Sequence, residues 1–223
     1  MTTNQSTQAK PQVAPTELKP NPEFARLASD EVIARTAQAL TANGFTAIIV
    51  DSGDQARHKV HELLTPGAEV FDATSRTLDT IGLTQEIHAG DIPYNAIKPQ
   101  IYGMDRQTQM REIRKLGAAP DYVIGSVHAL TEQGAMLIAS ASGSQLGPYA
   151  SGAGNVIFVV GAQKIVPNLE TGLRRIYEYS YPLEDARARQ AYGFGSRVAK
   201  ILIINIENPG RVSVILVKER LGF

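Results

Sequence analysis

Cysteine is absent from the 223-residue chain. That absence removes disulfides, thiolate-held iron–sulfur clusters, cysteine zinc sites and thiol nucleophiles from what the chain itself can supply. Net charge is absent too: 22 Lys and Arg offset 22 Asp and Glu, so no long-range field draws the protein to nucleic acid or anionic lipid. No apolar run approaches the roughly 20 residues that span a bilayer. The first residues lack the basic, apolar and small-residue succession of a secretory signal. The expectation is a cytoplasmic protein with no nucleic-acid partner and no membrane span.

With 43% hydrophobic residues, the chain can bury one sizeable core. Residues 1 to 22 are rich in Thr, Gln and Pro, with too little apolar surface to offset the entropy of ordering. Residues 1–28 therefore read as a flexible or extended N-terminal arm, or one that packs on a neighbouring subunit, and 29–223 as a single domain.

From Ser29, Ile33, Ala37 and Leu40 recur at helical spacing, and Asn43-Gly44 supplies the stop. Phe45 to Val50 follows as an apolar strand, continuous enough for burial on both faces of a parallel sheet. Ser52 and Gln55 have capping-box spacing and open a second helix. There His58 and His61 lie off the apolar stripe with no third ligand, so no metal is assigned. Residues 68 to 73 form the next strand, and Thr74-Ser75 enters another helix, where free N–H groups and hydroxyls suit an anion or an ordinary cap. Residues 88 to 104, broken by Gly and Pro, predict a long connection with one helical turn. Residues 105 to 116 predict a helix with Met110 and Ile113 facing the core.

Tyr122 to Leu130, the turn Thr131 to Gly134 and the return strand Ala135 to Ala139 make a hairpin. The small-residue loop Ser140-Ala141-Ser142-Gly143-Ser144-Gln145 follows, then the apolar strand Val156 to Val160. Placed at a strand's C-terminal end, where open α/β sheets take ligands, the loop offers Ser140, Ser142, Gly143, Ser144 and Gln145, with Lys164 from the end of the next strand. All can donate to a carboxylate or phosphate. His128 and Glu132 are the candidate acid/base residues beside it. Beyond Asn168, a helix is expected with Leu169, Leu173, Ile176 and Tyr177 inward and Arg174, Arg175 and Glu178 outward. Pro182 should break it ahead of a long polar connection, a lid or an interface. Lys200 to Ile206 and Arg211 to Lys218 then read as two strands of a hairpin joined by Glu207-Asn208-Pro209-Gly210.

Taken together, GSVHALTEQGAMLIASASGSQ, VIFVVGAQKIVPNLETGLRRI, PLEDARA, AKILIIN and the closing GRVSVILVKERLGF resemble, in order and over about residues 29 to 223, the LUD domain family of the lactate-utilisation protein C type. More distantly, this family resembles the superfamily of ribose-5-phosphate isomerase, glucosamine-6-phosphate deaminase (NagB) and the CoA transferases. The resemblance implies an α/β fold, three-layer α/β/α, with a mostly parallel central sheet and hairpin additions. It places ligand binding at Thr74, Ser75, the 140–145 loop and Lys164. Ala139 stands where the isomerases have a lysine, and Gly125 to Leu130 carries no acid, so isomerase chemistry does not follow.

The resemblance further implies a part in the oxidation of L-lactate to pyruvate, as a non-redox subunit or regulator that binds a small anionic metabolite. Iron–sulfur clusters would sit on partner proteins rather than on this chain. The alternative is a stand-alone enzyme acting on a sugar phosphate, CoA ester or related metabolite. The residues do not decide whether the chain is an enzyme. A homodimer is the expected assembly, from the prevalence of symmetric assemblies and the unassigned segment 88 to 104.

Overall fold

The computed structural model describes residues 18–90 and 92–223; the Thr-, Gln- and Pro-rich stretch expected in the arm lies largely outside them. In chain order the main elements are α1 (Asp30–Ala42), β1 (Thr46–Val50), α2 (Gly53–Leu63), β2 (Glu69–Asp72), α3 (Arg76–Thr80), α4 (Leu83–Ala89), β3 (Asn95–Ala96), α5 (Ile97–Tyr102), α6 (Met110–Ala118), β4 (Tyr122–Gly125), β5 (Ala129–Thr131), β6 (Met136–Ser140), β7 (Asn155–Gly161), β8 (Ile165–Val166), α7 (Leu169–Arg175), α8 (Tyr181–Tyr192), β9 (Lys200–Ile204) and β10 (Val212–Val217). Ser52 caps α2 through its side chain, as its spacing to Gln55 predicts, and Ser29 caps α1 in the same way.

Six strands form one sheet in the order β1-β10-β7-β4-β2-β3, and each of its neighbouring pairs is parallel. Alternate residues of each inner strand enter different cores. Val156, Phe158, Val160, Val212, Val214 and Leu216 face α1, α5 and the inner side of a second sheet. Ile157, Val159, Ile215 and Val217 face α2, α3 and α4. A strand buried on both faces must be apolar throughout, and VIFVV, Val156 to Val160 of β7, is the clearest example.

The second sheet has the order β8-β5-β6-β9. Its outer face packs Ala129, Leu137 and Val166 against Ile176 and Leu173. Residues near the start of the described chain join this layer. Asn21 N donates to Glu178 O at 2.8 Å, and Phe24 packs on the same cluster.

Several expectations change. Residues 122 to 130 are two strands in two sheets, with the chain crossing at Ser126 to His128. β9 and β10 do not pair: β9 is antiparallel to β6, and β10 lies between β1 and β7. The Asn-Pro-Gly turn therefore joins two sheets, because β10, apolar except for Ser213, gains more from two covered faces than from a hairpin edge. Pro182 sits in the first turn of α8, where a missing N–H is tolerated, and the helix runs on to Tyr192. A π-helical turn, Ile176–Ser180, links it to α7. The stretch read as a polar connection is thus mostly helix. The inward face of α7 and the π turn is Gly172, Arg175, Ile176 and Tyr179, while Leu169 and Tyr177 are exposed. Arg175, expected in solvent, is fully buried. Residues 105 to 109 form a turn around Asp105, so α6 starts later and Met110 is exposed. Within 88 to 104 a short strand, β3, accompanies the expected helical turn, which is α5.

One close approach fixes the end of β4. The Tyr149 hydroxyl lies against the α-carbon of Gly125, and a β-carbon there would overlap it. Gly125→Ala is expected to lower unfolding free energy by roughly 3 kcal/mol, with part of that loss recovered when Tyr149→Phe is added. Equal losses with and without the hydroxyl in denaturant unfolding would refute this account.

Candidate functional site

In the large sheet the chain leaves β2 towards β3 and leaves β4 towards β7 and β10. The strand order therefore reverses between β2 and β4, and the crevice beyond their C-terminal ends is the favoured ligand position in such sheets. On one side stand Asp72, Thr74 and Ser75; on the other stand Gly125, Ser126 and His128.

Lys164 spans this crevice. β4 and β7 are neighbours in the large sheet, and their continuations β5 and β8 are neighbours in the small one, so the two chains cross side by side. Lys164, placed at that crossing, donates from Nζ to Thr77 Oγ1 at 2.9 Å and to Ser126 Oγ at 3.1 Å. Each hydroxyl has already committed its own hydrogen. Ser126 donates to Val159 O at 2.6 Å and Thr77 to Leu221 O at 3.2 Å. The lysine must therefore be the donor in both bonds. It is 2% exposed and has no carboxylate partner within salt-bridge distance among the described residues. Burial first, and then the positive Arg175, push its pKa well below the ordinary lysine value.

Arg175 is a buried cation, also without a carboxylate partner among the described residues. It donates from Nη1 to His128 O and to Ser180 Oγ, and from Nη2 to Phe24 O, with its plane over the Tyr179 ring. Its Nε finds no acceptor among the described residues. Burial lowers its pKa to about 10, so it stays charged near neutrality. His128, between the two, accepts from Ala139 N at 3.1 Å through Nδ1, which leaves the ring hydrogen on Nε2. Burial, then Lys164 and Arg175, bring its pKa down to about 3.

Across the crevice is a cluster that the sequence did not single out. The fully buried Asp72 carboxylate accepts from His88 Nε2 at 3.1 Å and from Lys98 Nζ at 3.3 Å. The Tyr149 phenol is buried close by, its pKa raised by burial and then by the Asp72 charge, so it remains a protonated donor. The signal in the sequence was a charged residue ending the apolar strand Val70-Phe71-Asp72. His88 and Lys98 fall in the unassigned stretch and had no signal of their own.

The other sequence-derived candidates are dispersed. Thr74 is exposed, and Ser75 occupies the N-cap of α3 without capping it. The Ser140–Gln145 loop ends β6 in the small sheet rather than a strand of the parallel one. Its groups bond largely to one another: Gly143 N to Ser140 Oγ at 2.8 Å, Ser140 Oγ to Gln145 Oε1 at 3.0 Å, and Ser142 Oγ to Ser144 Oγ at 3.3 Å. Lys200 closes the loop through Ser142 O. Glu132 pairs with Arg35 at 2.7 Å and lines a surface groove with Arg174 and Asn21. Glu132 is thus committed to Arg35, and His128 to Ala139 N. His61 is held between Glu86 and Tyr94 rather than standing free.

Residues 219 to 222 close the crevice. Leu221 O accepts from Gln163 Nε2 at 2.8 Å as well as from Thr77, and Glu219 Oε2 accepts from Gly53 N at 2.9 Å. Among the described residues no helix is long and apolar enough to cross a membrane.

An all-parallel sheet beside a smaller mixed sheet, with buried ionisable groups at the reversal point of the strand order, defines an α/β protein. Its family is shown by sequence: the chain belongs to the LUD domain family, whose profile matches residues 33–217. In structure it is similar to a DUF162 family protein from Deinococcus radiodurans, with a TM-score of 0.53 and 13% identity over 86% of this chain and 99% of the other. A likeness to eIF2B beta from Chaetomium thermophilum has a TM-score of 0.36 and 14% identity, over 53% of this chain and 44% of that one. No curated protein matches the chain by sequence.

The His128 environment sets a pH dependence. The folded state binds its proton near pH 3, the unfolded state near 6.5. Between those values the unfolded chain holds more protons, so stability falls as pH drops through that window, by at most about 1.4 kcal/mol per pH unit from this group. His128→Gln should flatten that part of the stability curve measured by urea unfolding. An unchanged slope would remove His128 as its source.

Proposed function

We propose that this LUD domain protein is a non-redox subunit or regulator linked to the oxidation of L-lactate to pyruvate, and that it holds a small carboxylate in the crevice at Lys164. The observation that carries this reading is the buried Arg175 cation beside the buried Lys164 amine, with no carboxylate within salt-bridge distance of either among the described residues. Buried charge without a counter-ion is costly, and a bound anion would offset that cost. The Nε2–H of His128 adds a donor beside the same two groups. The chain has no cysteine, so iron–sulfur chemistry in this reading belongs to partner proteins.

A second reading, an enzyme acting on an anionic metabolite such as a sugar phosphate or CoA ester, draws its support from the Asp72–His88–Lys98 cluster. There a carboxylate and an imidazole are already hydrogen-bonded at the crevice. In that reading Asp72 and His88, rather than Glu132 and His128, handle the proton.

A thermal-shift series with L-lactate, pyruvate, ribose 5-phosphate and acetyl-CoA separates the two. The first reading expects saturable stabilisation by the small carboxylates that disappears in Lys164→Met, with a strain carrying that variant growing poorly on lactate. At a ligand concentration one hundred times Kd the stabilisation is about 2.7 kcal/mol. Stabilisation by the phosphate or the thioester alone would favour the second reading. No response to any of the four would sink both.

A further inference from the structure

The hydrogen bonds of the Lys164 nitrogen bear on which form of the amine the fold favours. Two of its bonding directions are fixed by Thr77 and Ser126, whose hydroxyl hydrogens are already given to Leu221 O and Val159 O. The remaining direction has no hydrogen-bond partner among the described residues. A buried N–H left without an acceptor is costly, and the neutral amine has only two hydrogens, both of which have acceptors. The geometry thus favours an amine that uses both hydrogens on the flanking hydroxyls and keeps an unshared pair.

We propose that Lys164 binds a small 2-oxo acid covalently, its side-chain nitrogen condensing with the keto carbon to form an imine. This rests on the carboxylate reading of the crevice and names the ligand class more narrowly. The nitrogen pair adds to the keto carbon as the C=O π pair moves to oxygen, giving a carbinolamine. The two amine hydrogens then leave with that oxygen as one water, and a C=N bond replaces C=O. Nothing is oxidised or reduced, and hydrolysis returns amine and 2-oxo acid. L-Lactate, with a hydroxyl in place of the ketone, cannot take the step. Depression of the amine's pKa by burial and by Arg175 is the usual means of activating a lysine for such addition. The oxo-acid carboxylate would sit in the field of the same arginine, with Ser126 and His128 beside it.

The test uses the full chain with pyruvate and sodium cyanoborohydride, followed by peptide mass mapping. The expected result is one reduced pyruvyl group per chain on the Lys164 peptide, none with L-lactate, and none at that position in Lys164→Met. Gln163→Ala, which frees Leu221 from one of its anchors, should speed labelling by opening the approach to Nζ. Labelling should also remain strong at pH values where exposed lysines are protonated and silent. If pyruvate and lactate both raise the melting temperature but no label reaches Lys164, the imine is wrong and the carboxylate site stands. Label spread over surface lysines, with none at Lys164, overturns the imine as well. If neither compound raises the melting temperature and no label forms, both readings fall.

Discussion

Everything around the crevice depends on one amine. β4 and β7 lie side by side in the large sheet and leave it together for the small one. At that crossing their backbones lose the ladder that satisfied them. Ser126 takes over part of the task by donating to Val159 O, and Lys164 joins Ser126 to the first turn of α3. A lysine is suited to this because its stem can lie among apolar groups while Nζ reaches two acceptors. Replacing it by a shorter polar residue would leave two oxygen acceptors facing each other across a gap.

Charge is distributed unevenly about that crossing. Lys164 and Arg175 lie on the side of the small sheet with carbonyls and hydroxyls for partners, and His128 is held neutral between them. Asp72 lies on the other side, already matched by Lys98 and His88. Dipoles can hold a guanidinium in place, but they neutralise it less completely than a carboxylate does. The small-sheet side therefore keeps an excess of positive potential in a region of low dielectric, where it acts on an anion more strongly than an exposed lysine would.

How much of this was legible in the sequence depends on which force set each feature. Strands whose apolarity is continuous, such as Val156 to Val160, were readable because burial on both faces leaves no alternative. The partner of β10 was not, since a turn of Asn, Pro and Gly looks the same whether it joins neighbours in one sheet or strands in two. Lys164 was found because it follows an apolar strand, and Asp72 was missed although it ends one. The Ser140–Gln145 loop drew attention through its composition, yet its hydroxyls serve its own backbone. Arg175 was read as solvated because apolar Leu169 and Leu173 suggested a different helical face. Its acceptors, the carbonyls of His128 and Phe24, are distant in sequence and leave no local trace.

Closure of the crevice decides what kind of ligand could use it. Residues 219 to 222 are held by hydrogen bonds from Thr77, Gln163 and Gly53 and by the buried Leu221 side chain. At about 1 kcal/mol for each hydrogen bond and about 2 for the leucine, opening costs roughly 5 kcal/mol. The open form is then on the order of one molecule in several thousand, and apparent affinity falls by the same factor. A three-carbon acid has few atoms with which to offset this, since even the best small ligands gain only about 1.5 kcal/mol per non-hydrogen atom. Non-covalent contact alone would leave such a ligand weakly held. A reversible bond to Lys164 adds to those contacts without adding atoms, so the closed crevice and the covalent lysine are two sides of one requirement.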